Sequence, residues 1–224
     1  MKILWLSRDL DSNDVVALQK KHEMVVSEDF TVIDNSFDIV IVSNYDKIIS
    51  EKYFFLPLKG IVVIHSSDLP KGKGWAPIYN SIANAENEYV VSLIKIDKKV
   101  DSGNILQKIR IKKPKYICNN NLRAIDEEAI IMLVDKFLEN LDSYSELIGI
   151  EQNEEQSTYY KKRTKFENKL DKDNSLQNQI LNILATNNNY ASFIDIDGQT
   201  IEITAKNKRT YKLGELSFSY EMYI

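Results

Sequence analysis

The chain has one cysteine, Cys118, and two histidines, His22 and His65, among 224 residues. An intramolecular disulfide needs a second thiol and a thiolate zinc site needs more ligands than these, so neither is expected and no metal is called for. Glycine is scarce, with seven in all, and none falls in a G-x-G-x-x-G or P-loop spacing. No apolar run approaches the roughly 18 residues of a membrane span. At the N-terminus Lys2 precedes only a short apolar run broken at Arg8 and Asp9, which does not resemble a secretory signal. Positive charge is not in excess either: 29 Lys and Arg face 33 Asp and Glu, a formal net charge of −4. That balance argues against a surface that tracks phosphates. The expectation is a soluble cytoplasmic protein with no nucleic-acid and no membrane partner.

What is present is enough apolar material to bury a core, 43% of residues, with 28% charged. "KILWLS" reads as a short buried strand, and Asp11 to Lys21 as a helix capped by Asp11 or Ser12. "HEMVVSED" reads as a weaker strand. "FDIVIVSNYD" and "GIVVIH" are near-continuous runs of Ile and Val, the pattern of strands covered on both faces of a parallel sheet. Strands alternating with helical segments predict a doubly wound α/β domain with a mostly parallel sheet. Ligands in such sheets bind beyond the carboxyl ends of the strands. Ser43, Asn44 and Tyr45 fall at one such mouth, and His65, Ser66 and Ser67 at the next.

Downstream, "APIYNSIANA" reads as a helix with Pro77 in its first turn, and "YVVSLIKID" and "NILQKIRIK" as two strands. Leu122, Ile125, Ala129, Leu133 and Phe137 form a helical stripe that belongs on the sheet. Residues 1–150 are therefore read as the main domain. The charged stretch 151–173 is read as a surface linker, and 174–224 as a small region with an amphipathic helix and a β-hairpin around Asp197-Gly198.

His65 at a strand mouth suits proton transfer, and suits an ordinary structural histidine as well. Asp101, in the loop between the two later strands, either orients that imidazole or caps its own turn. Lys71 and Lys73, between Gly72 and Gly74, either steer an anion or form a solvated loop. His22, between Lys21 and Glu23, reads as solvated, and Cys118 as structural. Ser66 and Ser67 lack the G-x-S-x-G elbow of a serine nucleophile.

The ordered set "IHSSDLPKGKGWAPIYNSI…VVSLIKIDKKVDSGNIL" resembles the core of the formyltransferases that use 10-formyltetrahydrofolate. Their pattern is Asn-x-His, Ser, Leu-Pro, Arg-Gly, Ala/Ser-Pro and then Asp-x-Gly-x-Ile-Leu. His65, Ser67, Leu69-Pro70, Gly74, Pro77, Asp101, Gly103, Ile105 and Leu106 match it in order. The resemblance implies a Rossmann-like formyltransferase core, with 10-formyltetrahydrofolate as co-substrate and His65 and Asp101 as the catalytic pair. It implies folate contacts at Ser43, Asn44, Tyr45, Asp97, Lys98 and Val100, and acceptor contacts at Ser67, Lys71, Lys73 and Gly74. Two positions depart: Val63 stands where the family has its asparagine, and Lys73 where it has arginine. Asn44 and Asn80 are candidate replacements for the missing donor. The segment before the histidine is also shorter than in larger relatives.

The tail "SFIDIDGQTIEIT", the motif "TYYKKRT" and the "SDLPKGKGWAP" variant look most like bacterial sugar N-formyltransferases of surface polysaccharide synthesis. The acceptor so implied is a UDP- or dTDP-linked 4-amino-4,6-dideoxy sugar, whose diphosphate would engage Lys71 and Lys73, with Lys161, Lys162 and Arg163 either helping or belonging to a solvated linker. Two alternatives stay open, formylation of a carrier-bound aminoacyl group and a non-catalytic folate- or nucleotide-sugar-binding domain. The tail hairpin and the Leu122 helix could also support a homodimer.

Overall fold

A computed structural model describes residues 1–143 and 146–223. In chain order the elements are β1 (Ile3–Leu6), α1 (Asn13–Gln19), β2 (Met24–Ser27), β3 (Ile39–Val42), β4 (Ile61–His65), β5 (Lys73–Gly74), α2 (Pro77–Ala83) and β6 (Glu88–Lys95). They continue with β7 (Ile105–Lys112), α3 (Asn119–Asn140), β8 (Tyr159–Tyr160), α4 (Leu176–Ala185), β9 (Ser192–Ile196), β10 (Gln199–Ile203) and β11 (Phe218–Met222).

A seven-stranded sheet runs in the order β11-β7-β6-β4-β3-β1-β2. Strands β2, β1, β3 and β4 are parallel neighbours; the Ile, Leu and Val runs of β1, β3 and β4 are buried on both faces, whereas β2 is the partly exposed edge. The sheet then changes direction: β6 is antiparallel to β4, β7 to β6 and β11 to β7. The loop from Ile96 to Asn104 joins β6 to its neighbour β7 directly, without a crossover helix, which makes that pair antiparallel.

Helix α3 covers one face. Leu122, Ile125, Ala129, Leu133 and Phe137 are each 0% exposed and pack with Trp5, Val62, Ile64, Val91 and Ile109. The two-residue period of β4 sends Ile61 and Val63 to the opposite face, against Val42, Tyr45 and Ile96. Among the described residues no helix is long and apolar enough to cross a membrane.

The C-terminal third departs from its sequence reading. The hairpin β9–β10 forms as predicted, with both turn residues at positive φ, Asp197 at 50° and Gly198 at 80°. Residues 174–224 are nonetheless not set apart, because β11 completes the main sheet beside β7. The stretch 151–173 is not a free linker: β8 pairs with β5, and Ile150 pairs with Ile105. Its exposed charges hide a few buried anchors, which composition averages away. His22 is not solvated either, since its Nε2 lies 3.0 Å from Asp135 Oδ1 of α3.

Candidate active site

His65 ends β4 and Asp101 sits in the β6–β7 loop, and the sheet brings their side chains together. His65 Nδ1 lies 3.5 Å from Asp101 Oδ1, with the two side chains only 10% and 9% exposed. His65 Nε2 lies 2.9 Å from the Gly72 carbonyl oxygen. That oxygen can only accept, so Nε2 carries hydrogen and donates to it, while Nδ1 faces the carboxylate. The Gly74 N–H donates to Asp101 Oδ2 at 2.8 Å, which fixes the second carboxylate oxygen. The arrangement is an imidazole backed by a carboxylate, a pairing in which the anion stabilises positive charge on the ring.

The local backbone explains why these residues lie where they do. Asp101 has φ 56°, a left-handed conformation that Asp tolerates better than most residues. A Cβ at Gly103 would overlap the Lys95 carbonyl, so only glycine lets the loop cross so close to β6. Gly74, at φ 91°, leaves no room for a side chain against the Tyr160 carbonyl.

The remaining predicted positions divide. Ser43 is buried at the end of β3, and Asn44 is exposed with φ 47°. The Tyr45 hydroxyl donates to the Glu28 carbonyl while its ring joins Val63 and Ile96 in one apolar cluster. Asp97 and Lys98 are exposed, Lys98 pairing with Glu51 at 2.8 Å, and Val100 is 55% exposed. The two candidate folate segments thus flank the Val63 face of β4. Ser67 donates to the Lys71 carbonyl and Lys71 is exposed. Lys73 is turned inward, only 4% exposed, and its Nζ donates to Ser102 Oγ at 2.9 Å and Glu154 Oε1 at 2.7 Å. Asn80 is not a free donor, because its amide serves the Trp75 and Ala76 carbonyls. The clefts lined by Met1, Asp38, Leu58, Lys59 and Asp142, about 230 Å³, and by Lys169–Asp173 with Asp195, about 440 Å³, include neither His65 nor Asp101.

Two features escaped the sequence reading. Asp126, on α3, accepts at Oδ1 from Ser66 Oγ (2.7 Å) and the Tyr89 hydroxyl (2.8 Å). Burial pushes its carboxyl up to about 6, against the opposing pull of those two hydrogen bonds and of Arg123. A signal was available, since Asp126 lies four residues after Leu122 on the apolar stripe. The second is the strap from Ile150 to Tyr160. Gln152 donates to the Asp101 and Gly103 carbonyls, Glu154 pairs with Lys73, and Thr158 Oγ1 accepts from Gly72 N–H. The run Thr158-Tyr159-Tyr160, β-branched and aromatic within a charged stretch, was its only trace.

The sequence profile described as "Formyl transferase" matches residues 13–132. A methionyl-tRNA formyltransferase of Pelagibacter ubique (strain HTCC1062) is 36% identical over 137 residues, 59% of this chain and 43% of the relative. The chain spans about half the length of the curated relatives it matches. Among solved structures, HypX from Aquifex aeolicus in complex with tetrahydrofolic acid superposes with a TM-score of 0.77 at 16% identity, covering 92% of this chain and 37% of that one. A 4-N formyltransferase from Francisella tularensis superposes with a TM-score of 0.75 at 16% identity, covering 93% and 98%. At such identities the structures speak for the fold, whereas the profile covers more than half of this chain. The chain belongs to the formyl transferase family.

Proposed function

We propose that this chain transfers a formyl group from 10-formyltetrahydrofolate to the amine of a nucleotide-linked 4-amino-4,6-dideoxy sugar. The observation that carries the transfer is the 3.5 Å approach of His65 Nδ1 to Asp101 Oδ1 at a strand mouth, in a chain of this family. The amine lone pair attacks the formyl carbon and a tetrahedral intermediate forms. The bond from that carbon to folate N10 then breaks, and the proton lost by the amine is delivered to N10. The products are a formamide and tetrahydrofolate. His65 Nδ1 takes the proton and returns it, and Asp101 balances the imidazolium in between. Val63 offers no donor to the oxyanion.

A folate co-substrate is supported by the family and by the tetrahydrofolic acid in the HypX complex. Its ring end fits the face formed by Tyr45, Val63 and Ile96, bordered by Ser43, Asn44, Asp97, Lys98 and Val100. For the acceptor, the strap supplies groups beside Gly74. Tyr159 is 62% exposed and Lys161 is exposed, while Lys162 lies 4.3 Å from the Trp75 ring centre and Arg163 stacks on Tyr79 at 3.5 Å. Aromatic faces and exposed ammonium groups, with Lys161 Nζ 3.9 Å from Glu167 Oε1, suit a base and a diphosphate. With Lys73 committed to Glu154, the diphosphate is assigned to Lys71 and Lys161.

The curated relatives support a second reading, in which the amine belongs to methionyl-tRNA. The discriminating experiment is mass spectrometry of products with 10-formyltetrahydrofolate and either UDP- and dTDP-linked 4-amino-4,6-dideoxy sugars or methionyl-tRNA, run beside His65→Ala. One formyl group gained on a sugar and lost in the variant supports the first reading. Gain on the tRNA alone selects the second. Gain on neither would return attention to carrier-bound aminoacyl groups and to binding without turnover.

A further inference from the structure

The strap crosses the Asp101 loop at one point. Gln152, 5% exposed, directs its Nε2 to the Asp101 carbonyl at 2.9 Å and to the Gly103 carbonyl at 2.7 Å. Two carbonyl oxygens that converge on one buried point repel each other unless a donor with two hydrogens stands between them. A primary amide meets that need without adding charge. Asparagine is one methylene too short, and a carboxyl group supplies at most one hydrogen. The same loop holds Asp101 at φ 56°, a conformation that persists only where surrounding contacts impose it. Paired backbone bonds between Ile150 and Ile105, at 2.8 and 2.9 Å, set the height at which Gln152 enters. The Glu154–Lys73 pair closes the other side.

We propose that Gln152 is a positioning residue for Asp101. It clamps the two carbonyls on either side of Ser102 and so holds the carboxylate where Oδ1 meets His65 and Oδ2 meets the Gly74 N–H. The catalytic consequence rests on the formyl-transfer reading above, whereas the positioning itself does not.

The test therefore has two arms, both on the full chain. The first measures hydrogen exchange of the Gly74 amide, which bonds to the Asp101 side chain, against that of Trp75, which bonds to the Tyr160 carbonyl of the strap. In Gln152→Ala the Gly74 protection factor should fall at least about tenfold while that of Trp75 holds, a pattern that general loosening of the strap does not produce. In Gln152→Glu, Gly74 protection should be lower at pH 8 than at pH 5, where the protonated acid restores one bond; this variant decides the question if the alanine variant does not fold. The second arm is kinetic. Gln152→Ala should lower kcat about 10²-fold with KM for the formyl donor within twofold, and should add less than twofold on an Asp101→Asn background. Unchanged Gly74 protection in both variants overturns the proposal. So does an equal loss of kcat on both backgrounds. If the wild type formylates no acceptor, the proposed function fails and the exchange arm still decides the role of Gln152.

Discussion

His65 and Ser66 are adjacent in the chain and lie on opposite sides of the sheet. The imidazole meets Asp101 and the Gly72 carbonyl, while the Ser66 hydroxyl reaches through to Asp126 on α3. The alternation of a strand produces this division, and it secures the turn after His65 from both sides. On the His65 side, Ser92 Oγ donates to the Ser67 carbonyl at 2.7 Å.

Asp126 makes stability depend on pH in a direction opposite to most carboxylates. Its pKa rises from 3.8 to about 6 on folding, because burial outweighs the hydrogen bonds from Ser66 and Tyr89. The native state thus holds the proton more tightly, and the stability this group contributes, full below about pH 4, is lost as pH rises through 6. Asp126→Asn keeps an acceptor for both hydroxyls and removes the titration. Urea denaturation should show the variant gaining on wild type by about 2–3 kcal/mol between pH 4 and pH 7.5. A difference between the two proteins that does not change with pH would refute the assignment.

On the proposed function, removal of His65 or Asp101 should stop turnover without unfolding the chain. His65→Ala and Asp101→Asn are each expected to lower kcat by about 10²- to 10⁴-fold, with circular dichroism unchanged. Activity within tenfold of wild type in His65→Ala would place the proton transfer elsewhere.

Position 63 offers a test by gain. Val63 shares the His65 face and packs partly buried near Leu69, Ile94 and Ile105. Val63→Asn restores the donor type of the family and should raise kcat about 10²-fold. An amide in that apolar setting should also cost about 1–3 kcal/mol of stability. Loss of stability with no gain in rate would mean that another group already serves the oxyanion.

The turn after His65 is also tied to the far end of the chain. Arg110 donates to both oxygens of Asp68 at 2.8 Å and to Glu221 of β11 at 2.5 Å, and Lys108 adds a third bond to Asp68 at 2.6 Å. Burial alone would raise the Asp68 carboxyl, yet these partners hold it below its usual value. Arg110→Met removes the cation shared by two partly exposed carboxylates, leaving Asp68 with Lys108 and Glu221 with the Tyr223 hydroxyl, and should destabilise the chain by about 1–3 kcal/mol. Addition of Glu221→Gln should then cost less than it does in wild type, since their shared partner is already gone. Additive losses would show that the network is not coupled.

The main elements were legible because their patterns are local. The runs of β1, β3 and β4, the stripe from Leu122 to Phe137 and the Asp197-Gly198 turn each declare themselves within a short window. His65 and Asp101 were also legible as candidates, through motif order. Their contact was not, since they lie 36 positions apart in the chain and only the antiparallel β4–β6 pairing closes that distance.

Sequence by itself therefore determined the α/β class, the identity of the catalytic candidates and the glycines their turns require. Tertiary structure alone decided that Lys73 is an internal cation, that Asp126 lies behind Ser66 and that the charged stretch after Ile150 threads the site. Composition averages over a segment, whereas an anchor such as Gln152 is one residue, and its role depends on partners 49 and 51 positions away.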